Sequence, residues 1–120
     1  MVVTRRDLPP VTQSVQCGHV AIKYTFELPN YAKQWHKKSQ YLIYLSVENE
    51  EKLLDITNKL YQDNISFSKF HEPDLDHELT AIAFMSNIKT KKVTSGMPLM
   101  FKEYNRSLKL NKITTKIGEQ

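Results

Sequence analysis

A chain of 120 residues with 40% apolar content suits one domain of two or three layers around a single core, and a second domain is not expected within it. Its 17 basic and 13 acidic residues give a net charge of +4, and the excess is uneven, with +6 on residues 87 to 120 and −2 on the rest. The lone cysteine, Cys17, excludes an internal disulfide framework and a cysteine-rich zinc site, and no apolar run approaches the ~18 residues of a membrane span. A soluble cytoplasmic protein without membrane contact is expected. Its basic tail suits a polyanion such as RNA, or serves as a solvated face.

In chain order, Val2 to Arg6 reads as a first strand, closed by Asp7-Leu8 and two prolines. Proline is tolerated at the first helical position, so a helix is predicted from about Pro9. Val11, Val15, Gly18, Ile22 and Phe26 follow spacings of three and four and form the expected packing stripe. Thr12, Gln16, His19 and Lys23 form the polar stripe beside it. Pro29 ends that helix, and Tyr31 to Lys38 makes a short amphipathic turn around Trp35. Tyr41 to Val47 carries apolar or aromatic residues on both alternating faces, the pattern of a central strand covered on both sides.

Asn49 caps the next helix, whose first turn places Glu50 and Glu51 at the positive dipole end. Leu53, Ile56 and Leu60 give it a core face, with Leu54 and Tyr61 beside them. Ile65 to His71 and Leu79 to Phe84 read as an antiparallel pair joined by the polar connection from Glu72 to Glu78, without the Asn-Gly signal of a tight hairpin. Lys-rich sequence of weak helical periodicity follows Ser86. The order β-α-(short α)-β-α-β-β-α predicts a three-layer α/β/α fold around a mixed four-stranded sheet. The domain is expected over residues 1–100 and a basic extension over 101–120. Edges of such an open sheet leave room for a homodimer.

Open α/β sheets bind ligands beyond the carboxyl ends of their strands. There the first strand delivers Arg5 and Asp7, the first helix displays Gln16 and His19, and the strand pair brings Glu72, Asp74 and Thr80. A cation, an imidazole, carboxylates and a hydroxyl would meet. Each also has a plainer reading: a partly buried, hydrogen-bonded histidine, an exposed glutamine, a solvated acidic loop and an ordinary strand threonine. No phosphate-cradling glycine loop exists, since the glycines are Gly18, Gly96 and Gly118. The histidines at 19, 36, 71 and 77 lack helical metal-ligand spacing, so no metal is expected. Cys17 has no activating motif and reads as packing.

Arg5-Arg6-Asp7-Leu8 followed by Val15-Gln16-Cys17-Gly18-His19-Val20-Ala21 resembles the opening of type-two peptidyl-tRNA hydrolases. Trp35 ahead of the strand at Tyr41, the acidic helix start at Glu50 and the run Leu79-Thr80-Ala81-Ile82-Ala83 agree with that family in order. The likeness covers roughly residues 2 to 98. It implies hydrolysis of the ester between a peptide and the terminal ribose of tRNA, without cofactor. By position, Gln16 and His19 match the family's helix motif, Thr80 its last-strand hydroxyl, and Glu72 or Asp74 its loop aspartate.

The chain departs from the resemblance at the helix start, where Pro9-Pro10-Val11-Thr12 replaces a Lys-Gly-Lys-like turn. Two cations are lost, and the prolines also remove backbone N–H donors, leaving those of Val11 and Thr12. One such donor is worth about 10²- to 10³-fold in rate. Arg5, Arg6 or Lys23 would compensate in part. The alternative is an altered scaffold that binds or cleaves an RNA end or a nucleotide-like signalling molecule, which would suit a bacteriophage protein.

Overall fold

The computed structural model describes residues 1–102. Strand β1 (Val2–Arg5) leads to helix α1 (Pro10–Glu27), helix α2 (Pro29–Lys38) and strand β2 (Tyr44–Val47). Helix α3 (Glu50–Gln62), strand β3 (Phe67–Glu72), a 3₁₀ turn (Pro73–Leu75), strand β4 (Glu78–Phe84) and helix α4 (Ile88–Thr94) follow. The sheet runs β2-β1-β4-β3, with β1 parallel to β2 and β4 antiparallel to both its neighbours. This is the expected mixed four-stranded α/β fold, with α1 packed on one face and α3 on the other. The basic extension lies outside the described residues beyond Lys102.

Local chemistry accounts for the element boundaries. Pro10 opens α1 and Pro29 opens α2, so the break between the two helices falls where a proline cannot continue the first. The Asn49 side chain accepts from the Lys52 amide at 3.0 Å, the cap expected of it and worth about 1 kcal/mol. Asn87 and Thr90 form a reciprocal capping box that starts α4 in the Lys-rich region. Where the hairpin lacks Asn-Gly, Asp76 and His77 take left-handed conformations with φ of 53° and 59°. Both residue types tolerate that region better than most.

Three packing expectations are corrected. The α1 stripe is turned outward: Val11, Val15, Ile22 and Phe26 are 77%, 48%, 63% and 81% exposed. Gln13, Gln16, Cys17 and Val20 are buried instead. The sheet surface under α1 is built of small and polar residues, Thr4, Ser68, Thr80, Ala81 and Ala83, which offers hydrogen bonds to glutamine and little depth for branched side chains. The run from Tyr41 is not a central strand. Only Tyr44–Val47 pairs, at the edge of the sheet, while Tyr41 and Leu42 are exposed. The 98–100 segment lies along the outer edge of β2 through Ser46 N to Pro98 O at 3.0 Å and Met100 N to Tyr44 O at 2.9 Å. That contact covers an otherwise open edge. On α3, Leu53, Ile56 and Leu60 are buried as expected, but Leu54 and Tyr61 face outward and Thr57 takes an inner position.

Cys17 is fully buried against the sheet, and its thiol lies 3.6 Å from the Met100 sulfur. Burial, opposed by a contact with Thr4, pushes the thiol up to about 11. The group is therefore neutral and inaccessible at ordinary pH. A disulfide exchange reagent at about pH 8 should label it only as fast as the protein opens, and labelling at the rate of a free thiol would contradict this packing.

Candidate active site

The site is organised around an irregularity in β4. Phe70 pairs with Ala81 and His71 with Leu79, which leaves Thr80 as an extra residue between two paired ones. Such a bulge re-aims a side chain. Leu79 belongs to the core under α3 and Ala81 to the core under α1, and the bulge sends Thr80 to the α1 side as well. The bulge is held from three directions. Thr4 on β1 donates to the Thr80 carbonyl at 2.9 Å, Glu50 at the start of α3 accepts from the Leu79 amide at 2.7 Å, and Arg5 donates to the Leu79 carbonyl at 3.1 Å.

From that bulge runs a chain of hydrogen bonds. The Thr80 hydroxyl donates to Gln16 Oε1 at 2.7 Å, and Gln16 Nε2 donates to Glu72 Oε1 at 3.0 Å. Gln16 is 2% exposed and spends both ends of its amide on this chain, so its orientation is fixed by chemistry. Glu72 Oε2 has no hydrogen-bond partner among the described residues. Thr80 itself is fully buried. Its hydroxyl therefore acts on Glu72 through Gln16, and does not meet solvent directly.

Arg5 is 6% exposed. Its guanidinium grips Asp7 with two bonds, at 3.0 Å from Nε and 2.8 Å from Nη2, and reaches Glu78 at 2.8 Å from Nη1. Asp7 first, then Glu78, hold the guanidinium protonated more firmly than usual against the cost of burial. Arg5 in turn keeps the Asp7 carboxyl below the ordinary carboxylate range. Its charge is thus committed to fixing the strand ends.

Lys23 is committed elsewhere too, donating to the Lys69 carbonyl at 2.8 Å with Glu27 at 4.0 Å. It sits seven residues beyond Gln16, about 10 Å along α1. His19 is exposed and stacks on Phe70, centroids 4.7 Å apart and planes 21° off parallel. It is a stacked ring with a free edge, not the buried, hydrogen-bonded one of the plainer reading. Asp74 stands exposed on the 3₁₀ turn with no hydrogen bond among the described residues.

At the start of α1 no side chain caps the helix, the first helical bond runs from the Gln13 amide to the Pro9 carbonyl at 2.9 Å, and Thr12 is half-buried nearby. Gln13 donates to the Leu8 carbonyl at 2.6 Å, tying the helix to the turn that follows β1. Gln16, Glu72 and Thr80 therefore converge, His19 flanks them, Arg5 and Asp7 brace the strand end, and Lys23 and Asp74 stay apart. Sequence reasoning missed Thr4, Glu50 and Glu78 as supports. Nothing local marks them, since each acts across a sequence separation that only the folded sheet closes.

Among the described residues no helix is long and apolar enough to cross a membrane. No curated protein matches the chain. The family model described as peptidyl-tRNA hydrolase PTH2 matches residues 1–100, which span the sheet, all four helices and every residue of the candidate site. The chain belongs to the peptidyl-tRNA hydrolase PTH2 family.

Proposed function

We propose that this protein hydrolyses the ester joining a peptide to the terminal ribose of tRNA, with Glu72 as the general base. The observation that carries the reading is the Thr80–Gln16–Glu72 chain, which orients a carboxylate at the edge of a strand exit and leaves one of its oxygens free. A water held by that oxygen gives its proton to Glu72 as it attacks the ester carbonyl. The tetrahedral oxyanion then needs donors, and the amides of Val11 and Thr12 at the start of α1 are the ones the two prolines leave. When the bond to the ribose oxygen breaks, that oxygen takes the proton that Glu72 removed from water, which restores the carboxylate, and His19, one turn beyond Gln16, borders the site on that side. Arg5 and Asp7 keep β1 and β4 in register beneath the site.

Thr80 is the position that separates this reading from chance proximity. Thr80→Val keeps the shape and removes the donor to Gln16, so Glu72 loses its orientation. Misplacement of about 1 Å costs about 10²-fold in rate. Release of tRNA from an N-blocked aminoacyl-tRNA should fall by that order in Thr80→Val and recover in Thr80→Ser, with KM little changed in both. Equal activity of all three proteins would remove the relay from the mechanism.

One feature supports a second reading, a scaffold that holds an RNA end or nucleotide-like molecule without cleaving it. Pro9 and Pro10 leave the helix start without lysine and poor in amide donors. In that case the ester would survive incubation with any of these variants.

A further inference from the structure

From residue 28 to residue 47 the chain carries Lys33, Lys37 and Lys38 and no acidic residue. Helix α2 thus adds three positive charges, all exposed and none in an ion pair among the described residues. Lys33 and Lys38 lie five residues apart, about 7.5 Å along the helix axis. Tyr31 and Trp35, at a spacing of four, share one face of α2 with Lys38 beside them, while Lys33 and Lys37 stand on the opposite side of the helix.

That face closes one side of a cavity of about 580 Å³ between α2, the C-terminal half of α1 and the segment at 41–43. Its walls include Tyr24, Tyr31, Trp35 and Tyr41, with Lys38 among the lining residues. Trp35 Nε1 donates to the Tyr41 carbonyl at 2.7 Å, which locks the indole edge and leaves its faces for contact. Tyr41 is 78% exposed and Leu42 57%, so the rim is apolar and open.

Aromatic faces for flat π systems, with Lys38 at the cavity, Lys33 and Lys37 around the same helix and no carboxylate in the lining, match a polymer that alternates bases with phosphates. The spread of the lysines favours several phosphates over one. Along α1, Tyr24 stands eight residues beyond Gln16, about 12 Å. One helix therefore leads from the cavity to the Glu72 chain.

We propose that α2 and the aromatic cavity behind it form the docking site for an unpaired stretch of RNA, with a base stacked in the cavity and the backbone along Lys33, Lys37 and Lys38. For the identity of that RNA the proposal rests on the tRNA substrate of the reading above. It differs in place from the basic tail that the charge distribution first suggests.

Trp35 is the only tryptophan in the chain, so its fluorescence reports on the cavity directly. Titrating the full-length protein with a short oligouridylate should quench that fluorescence. The same strand paired with its complement, and uridine monophosphate alone, should bind at least about tenfold more weakly. Changing Lys33, Lys37 and Lys38 together to glutamine touches only exposed positions. It should weaken oligouridylate binding by more than about tenfold at low salt and reduce the salt slope by about 2, from about 0.7 per single-strand phosphate contact. Trp35→Phe should retain most of the affinity and Trp35→Leu should lose about tenfold.

Unchanged fluorescence at saturating RNA, an unchanged affinity and slope in the triple variant, or preference for the duplex or the mononucleotide would each overturn the proposal. Ester hydrolysis is read in a separate assay. RNA docking without hydrolysis removes the proposed reaction and leaves this site standing, whereas hydrolysis with no dependence on α2 removes the site and leaves the reaction.

Discussion

Glu72→Gln is expected to lower the rate of peptidyl-tRNA hydrolysis by about 10²- to 10⁴-fold, the usual worth of a general base. The substitution is nearly isosteric, and the new amide can present its oxygen to Gln16 Nε2 as the carboxylate does at 3.0 Å. The relay to Thr80 should therefore persist, along with the fold. What disappears is the capacity of the other terminal atom to take a proton. Asp74→Asn, on the exposed turn and outside the relay, should stay within a few-fold of the parent protein. Steady-state rates of both variants, beside their thermal unfolding midpoints, check the assignment. A large loss in Asp74→Asn with none in Glu72→Gln would move the base to the turn.

The largest stability effect is expected at Arg5. Its guanidinium satisfies Asp7, Glu78 and the Leu79 carbonyl from a buried position. Removing one partner of a fully buried pair costs about 3–5 kcal/mol. Here the two carboxylate side chains are 38% and 42% exposed and partly screened by water, so Arg5→Met should cost about 2–3 kcal/mol. For a domain of this size that corresponds to roughly 10 °C in Tm.

Acid should reveal the same pair. Arg5 holds the folded Asp7 carboxyl below its usual value. The resulting stability is fully present above the unfolded aspartate value near 4 and is lost as pH falls through the lower folded one. Urea unfolding should show a wide gap between parent and Arg5→Met at about pH 7 and a smaller one at about pH 3. An equal gap at both would mean that the ion pair is not its source.

The element order was legible because its signals are local. Pro29 divides the first two helices, Asn49 caps the third, and short apolar runs on either side of a polar connection mark the last two strands. Rotation about a helix axis is not local. Val11, Val15, Ile22 and Phe26 spell a good apolar stripe, yet the surface beneath α1 offers hydroxyls to Gln16 and shallow alanines, and a polar face turns inward to meet them. Tyr41 and Leu42 looked like strand residues because apolar side chains serve a cavity rim as well as a sheet.

At the candidate site, the resemblance singled out Gln16, Glu72 and Thr80 without saying how they join. A bulge at one residue, which no spacing rule reveals, supplies the answer. Of the two carboxylates that the sequence left open, Glu72 ends β3 within hydrogen-bond reach of Gln16, while Asp74 lies beyond the strand. Arg5 reads from the sequence as a source of positive charge at the site. Its partner Glu78 lies 73 residues away, and only the pairing of β1 with β4 brings the two together.

The central claim is that this scaffold cleaves its ester despite the proline start of α1. Incubating the purified full-length protein with an N-blocked aminoacyl-tRNA, and following free blocked amino acid and tRNA with an intact terminal ribose, tests it most directly. Stoichiometric release of both products well above the uncatalysed rate is expected, lowered by about 10²- to 10⁴-fold in Glu72→Gln. Recovery of the intact ester after prolonged incubation with protein that binds it would contradict the account.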